Sequence, residues 1–478
     1  MLKYLALGAS ATAFLLMSNT FSDSPKEPNL VATNAALETS LNNYKNYCSS
    51  CHGEKVEMFV DRKWKHGQTK ADLVKTITNG YPDLGMPAWS PAINAKEIDA
   101  LADLILVNIE KNSKYSFAEK PKSNIFIAAD MSVRLDTVAS GLGSVWGMAF
   151  LPAGEMLVTD RSGEVYRIDK NRQKTKIVGV PAVVAEGQGG MLDVELHPKF
   201  AQNGLVYLSY SIGKTENGEK LSSTAVMRAK LEGNQLSDQK VIFEALPYLK
   251  TRHHYGSRLE FDRNGFLFVS VGDRGQHEDK LPQSVENSCG KIHRLNDDGS
   301  IPADNPFAKT DKAQASVYSY GHRNPQGMAM NPATGEIWEH EHGPRGGDEV
   351  NIVKKAANYG WPVISYGLNY DGSVLTPLTA QNGMEQPLHY WIPSIGPSGT
   401  TFVTGERYPA WKGDLLVGSL RFKYLNRCKI VNNKIVKEEI LLPNVGRLRA
   451  VEMSPDGYIY VAVEEPGYVF RLLPMPVK

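Results

Sequence analysis

Cysteine is scarce in this chain. There are four in 478 residues, too few for a disulfide-stapled scaffold. Net charge is almost absent as well, since 53 Lys and Arg face 52 Asp and Glu and leave +1. That balance gives no electrostatic case for nucleic acid or an anionic membrane surface as a partner. Long apolar runs are missing too. The nearest approach, Tyr4 to Met17, follows Lys3, is too short to span a bilayer comfortably and has the flanks of a signal peptide. Residues 1–22 are therefore expected to be a signal peptide, and the periplasm the compartment; an uncleaved anchor is the other reading, because no A-x-A site follows. What is present is ordinary for a globular chain, 42% hydrophobic and 22% charged, with length for two or three domains.

Two of the four cysteines fall in "NYCSSCHGEK". Cys48 and Cys51 with His52 form Cys-x-x-Cys-His, the attachment pattern of a c-type haem. A structural zinc would need two more close ligands, and Cys289 and Cys428 are far away and far from each other. A thiol redox pair would want a βαβ context, which is not visible. His52 would supply one axial bond to the iron and Met86, in "YPDLGMPAWSP", the other. Met58 lies too soon after His52 to cross easily to the opposite haem face. "TKADLVKTITNG" reads as a short helix, and "NAKEIDALADLILVNIEKN" as an amphipathic one with Ile98, Leu101, Leu104 and Ile105 on its apolar side. The stretch resembles a small all-α class I cytochrome c over residues 35–113. A polar, lysine-rich linker follows at 114–124.

From Ile125 onward one pattern recurs: a short alternating apolar run, a turn with Pro, Asp or Gly, and a second run. The copies are "MAFLPAGEMLVTD", "LDVELHPKFAQNGLVYLSY", "LEFDRNGFLFVSVGD", "MAMNPATGEIWEHE", "FVTGERYPAWKGDLLVGSL" and "VEMSPDGYIYVAVEE". Each reads as a β-hairpin, with room for two more strands per copy. The fold class expected is mainly β, a six-bladed β-propeller over 125–478 preceded by the all-α domain.

A hairpin brings the residues before its first strand and after its second to one end. Polar groups gather at those positions: Gln188, "RHHYGSR", "GDRG", "GHRNPQG", "HGPRGGDE", Arg421 and "GRLR". Arg323, Arg421, Arg447 and Arg449 suggest a polyanionic ligand. Arg447 and Arg449, two apart on a strand, share a face. The Gly-rich "HGPRGGDE", with its carbonyls and acids, suits Ca²⁺. His254 and Asp273 lie at the same end of one hairpin, the arrangement of a general base with its orienting acid.

"HHYGSRLEF", "GDRG", "LNDDGSIPADNPF", "YGHRNPQGMA", "HGPRGGDEVNIV" and "NYGWP" resemble the soluble sugar dehydrogenases that use pyrroloquinoline quinone (PQQ). The resemblance covers nearly all of Ser144 to Leu472 and implies a six-bladed propeller. By it, His254 is the base for the C1 hydroxyl of an aldose, Asp273 orients it and Arg323 assists. Gln188 and His253 face the sugar, His253 standing where soluble glucose dehydrogenase has an acid. Asn324, Arg447 and Arg449 hold PQQ, with Arg421 in place of the family's lysine. Carbonyls of Gly343 and Pro344 bind Ca²⁺, and Asp348, Glu349 and Tyr359 match the region of a second, structural calcium. Sugar oxidation would then deliver electrons through PQQ to haem c and on to an external acceptor: a cytochrome, copper protein or oxidase. A sorbosone-type dehydrogenase with the same cofactors is the alternative, and a calcium-dependent propeller hydrolase would leave the haem unexplained.

Overall fold

A computed structural model describes residues 30–48, 52, 66–82, 86–112, 121–276, 280–370, 373–464 and 466–475. The expected signal peptide, Cys51 and Met58 lie outside the described residues. Among the described residues no helix is long and apolar enough to cross a membrane.

The N-terminal region is helical, as its periodicity predicts. A first helix, Leu30–Asn43, runs into a π turn at Tyr44–Cys48 that buries Tyr44 and Cys48. The helix Lys70–Asn79 starts on a reciprocal cap: Asp72 N donates to Thr69 Oγ1 and Thr69 N to Asp72 Oδ2. It stops at Gly80, whose φ of +63° lies where a side chain is strained. The helix Ala95–Asn112 buries Ile98, Leu101 and Ile105 against Leu73 and Ile77. Met86 sits just past Gly80, held by a two-way backbone bridge to Tyr81 of 2.7 and 3.1 Å.

The rest is six antiparallel sheets. All six hairpins read from the sequence are the first two strands of a blade. Their inner strands are Val145–Phe150, Met191–Leu196, Leu259–Phe261, Pro325–Met330, Pro397–Phe402 and Arg447–Met453, here numbered blades 1 to 6. Each inner strand touches the next and the sixth returns to the first. Blade 6 joins both ends of the region: its third strand, Gly467–Met475, pairs with Ser132–Leu142, and Ile125–Ile127 adds an outer edge. This closure stitches the ring where a free sheet edge would otherwise remain. Arg427 of blade 5 strengthens it by reaching Asp130 at 2.7 Å from a buried position that also holds Asp414 and Glu439.

Five of the inner hairpins carry a register shift near the start of the first strand, between Val145/Met148, Met191/Val194, Pro325/Gly327, Ser398/Thr400 and Leu448/Ala450. Bulges bend a strand and re-aim its side chains. Here they cluster at one end of the ring, the end that carries the polar loops. Cys289 and Cys428 are buried, unbridged and in different blades.

Candidate active site

The rim loop before the inner strand of blade 3 is contorted. His254, Gly256 and Ser257 have φ of +54°, +64° and +77°, a region costly for side-chain-bearing residues. Three supports hold it. Gln188 Oε1 accepts from the His254 backbone N–H at 2.8 Å. Arg274, 1% exposed, donates Nε to the His253 carbonyl and Nη2 to the Thr251 carbonyl, with its guanidinium 3.9 Å over the Tyr255 ring. Gly272 passes so close that a Cβ there would stand 2.3 Å from the His254 carbonyl oxygen.

This loop sets His254 against Asp273, with Nδ1 to Oδ1 at 2.6 Å. The carboxylate is fully buried and also accepts from Gly275 N at 2.7 Å and Trp361 Nε1 at 2.8 Å. Burial pushes Asp273 upward, but His254 and Arg323 outweigh it and hold the acid down to about 2. An ionised Asp273 takes Nδ1–H, which leaves Nε2 of His254 as the free lone pair. Burial and the Arg323 charge push the imidazole down to about 4, against the pull of Asp273. The ring is thus neutral near pH 7, the form that can accept a proton. His253 is exposed beside it, ring centroids 4.8 Å apart.

Blade 4 supplies Arg323 and Asn324. Arg323 donates Nη1 to the carbonyls of His342 and Gly343 at 3.0 and 2.8 Å and lies over Trp361. Its Nε is buried with no hydrogen-bond partner among the described residues. Asn324 Oδ1 accepts from Gly256 N. Arg421 of blade 5 donates to the Ser394 carbonyl at 3.3 Å. Arg447 and Arg449 do share a face, as their spacing predicts, and converge on one acid: Glu464 takes Arg447 Nε at 3.1 Å and Arg449 Nε at 2.7 Å. Below them Arg258, paired with Asp193 at 2.9 Å and stacked 4.1 Å over Trp146, fills the channel. The rim is therefore a cup with a polar floor.

Gly343 and Pro344 begin a loop folded around Asp348. That carboxylate accepts from Gly343 N, Ser394 Oγ and Gly396 N at 2.9, 2.9 and 2.8 Å, and burial raises it to about 6. Its Oδ1 serves Gly343 and Ser394 and its Oδ2 serves Gly396, so its visible work is to tie the loop of 343–344 to the segment before blade 5. Glu349 lies one residue on, half-buried, and the Tyr359 ring stacks on His322 at 4.3 Å. In the haem region, Tyr44 OH donates to the His52 carbonyl at 3.4 Å, and both His52 and Met86 are half-buried.

The structure thus gathers His253, His254, Asp273, Arg323, Asn324, Arg421, Arg447 and Arg449 on one rim. Gln188 is there too, but its side-chain oxygen serves the His254 loop. Trp361, Arg274 and Glu464 hold this set in place and were not singled out from the sequence. The partners of Trp361 and Arg274 lie on other loops, where no local pattern marks them, whereas Glu464 faces Arg447 across its own hairpin, a pairing that hairpin register could have shown.

Residues 142–471 match the family model described as glucose / sorbosone dehydrogenase. The chain belongs to the glucose/sorbosone dehydrogenase family. Residues 35–105 match a second model, cytochrome c oxidase, cbb3-type, subunit III. Aldose sugar dehydrogenase YliI of Escherichia coli is 39% identical over 359 residues, covering 74% of this chain and 96% of that protein. The crystal structure of the soluble E. coli aldose sugar dehydrogenase in its apo form superposes with a TM-score of 0.69 at 38% identity, over 72% of this chain and all of that one. A PQQ-bound aldose sugar dehydrogenase of Streptomyces coelicolor gives 0.59 at 28% identity, over 73% and 99%. The family propeller is here fused to a cytochrome c domain.

Proposed function

We propose that the propeller oxidises the C1 hydroxyl of aldose sugars to lactones in the periplasm, with PQQ and Ca²⁺ at the rim, and that the electrons leave through the fused haem c to an external acceptor. The observation that carries this reading is the His254–Asp273 pair, a neutral, oriented imidazole in a cationic cup. PQQ, when bound, supplies the quinone that accepts the hydride. The residues fit such a polyanion: among the described residues Arg323 has a buried Nε without a partner, and Arg447 and Arg449 share a single acid. The carbonyls of Gly343 and Pro344, in a loop shaped by Asp348, suit a hard cation.

The chain's own part in the chemistry is proton handling and positioning. Nε2 of His254 takes the hydroxyl proton, and Asp273, fixed by Trp361 and Gly275, stabilises the imidazolium that forms. Burial first, and the Arg323 charge second, keep the resting imidazole neutral. The acid limb of kcat/KM is accordingly expected near pH 4 and not near 6.5. Arg323→Gln removes a positive charge that disfavours imidazolium, so the limb should move to higher pH even as the rate falls. A limb that stays in place would assign it to another group.

The tether supports electron delivery on this face. Ser132–Leu142 runs toward the rim, because Leu142 pairs with Gly467 and Ser132 with Met475. Ile125–Ile127 is antiparallel to it, so the chain comes down from the rim side. Pro121–Asn124 line a cleft of about 740 Å³ together with Arg447 and Glu464. Adding PQQ, Ca²⁺ and an aldose to the purified protein should produce the reduced-haem spectrum. Sugar-independent haem, with no lactone formed, would defeat the proposal.

A further inference from the structure

Beneath the rim, beside the strand that leads into Gly343, blade 4 buries an imidazole among carboxylates. His322, Glu339 and Glu341 are 0%, 1% and 4% exposed, and their ligand atoms all lie within 4.8 Å of one another. His322 Nδ1 is 3.1 Å from Glu341 Oε1 and 3.7 Å from Glu339 Oε1. Among the described residues, His322 is the sole ion-pair partner of either acid. Glu349 stands opposite Glu341 in the ladder and adds a further acid to the neighbourhood.

Such a group needs a positive centre, either a proton or a cation. Burial and the Glu341 charge push Glu339 well above the usual carboxylate range, which a shared proton would satisfy in principle. The geometry argues otherwise. Glu339 Oε1 already accepts from Asn351 Nδ2 at 2.8 Å, and Oε2 is buried with no partner among the described residues. A proton on His322 Nδ1 answers Glu341 Oε1 at 3.1 Å but stands 3.7 Å from Glu339, and a proton on Oε2 of Glu339 would be a donor aimed at no described residue, which is costly. A cation needs no acceptor.

The surroundings are those of a ligand set. His322 Nε2 lies 2.9 Å from Ser319 Oγ, which can take Nε2–H and leave Nδ1 as a lone pair facing the two acids. Glu341 Oε2 accepts the backbone N–H of Arg323 and of Asn324, and Asn351 orients Glu339. Each first-row metal bond of about 2.1 Å gives ligand separations of roughly 3.0 to 3.4 Å in octahedral or tetrahedral sites. The observed 3.1 and 3.7 Å lie near that range, and no pair of ligand atoms is more than 4.8 Å apart.

We propose that His322, Glu339 and Glu341 bind a divalent transition metal of the zinc or manganese class, separate from calcium at the rim. The imidazole ligand selects this class over calcium. Through Glu341 the ion would be a fixed post beneath Arg323 and Asn324, a positioning role and not a catalytic one.

The test uses the full-length holoprotein. It is dialysed against EDTA, loaded with Zn²⁺ or Mn²⁺ in the presence of excess Ca²⁺, desalted, and its metals counted by mass spectrometry, with haem iron counted apart. One zinc or manganese per chain is expected, with a higher thermal midpoint than the unloaded protein. Glu339→Gln keeps the shape and should lower retention by about tenfold or more at unchanged haem content. Retention equal in Glu339→Gln and wild type would overturn the site, as would calcium as the sole ion retained. So would a wild-type protein that holds neither metal and whose midpoint neither metal moves. That arm decides the matter even if the variant fails to fold.

Discussion

Replacing His254 with Ala should slow sugar-dependent reduction by about 10²–10⁴-fold, the range typical of losing a positioned general base. The fold should survive, because the loop is held by groups other than the imidazole: Gln188 on the His254 backbone N–H, and Arg274 on the carbonyls of Thr251 and His253. The arginines that would hold the cofactor are untouched, so PQQ binding should persist. Single-turnover reduction by an aldose, followed in stopped flow, separates the step from binding. A rate near that of the wild type would move the role elsewhere, with His253 at 4.8 Å the first group to examine.

Replacing both Cys48 and Cys51 with Ser should abolish covalent haem and with it every haem-borne electron. The sugar chemistry should remain when a small artificial acceptor is supplied. The reason is the independence of the two cores. Tyr44, Cys48, Leu73, Ile77 and Leu101 form a helical cluster of their own, while blade 6 closes the propeller with strands that begin at Ile125. Denaturing electrophoresis with haem stain reads the first outcome, and acceptor reduction the second. Haem that survives denaturation in the double variant would refute the reading of the Cys-x-x-Cys-His motif.

Much of the fold was legible because it is local. The six hairpins announce themselves by alternation and turn residues, and each became the inner pair of a blade. The closing strand Ser132–Leu142 was not legible, since its partner Gly467–Met475 lies at the far end of the chain. The pair of His254 and Asp273 could be read because hairpin geometry brings them to one end. Trp361 could not, as a buried polar contact between distant loops leaves no periodic trace, whereas Glu464, opposite Arg447 in one hairpin, was within reach of the same reasoning. Gln188 shows the limit differently: its position on the rim was foreseen, but its oxygen is turned to the His254 backbone. Asp348, read as a residue of a calcium region, gives Oδ1 to Gly343 in its own loop and Oδ2 to Gly396 before blade 5.

The central claim is that the two domains form one relay within a chain. Its most direct test is the rate at which sugar reduces haem c in the reconstituted protein, measured across a wide range of protein concentration at saturating sugar. Tethering makes the transfer intramolecular, so the account predicts a first-order rate that does not change with concentration. A rate that climbs in proportion to protein concentration would mean that electrons pass between molecules, and the relay would be wrong.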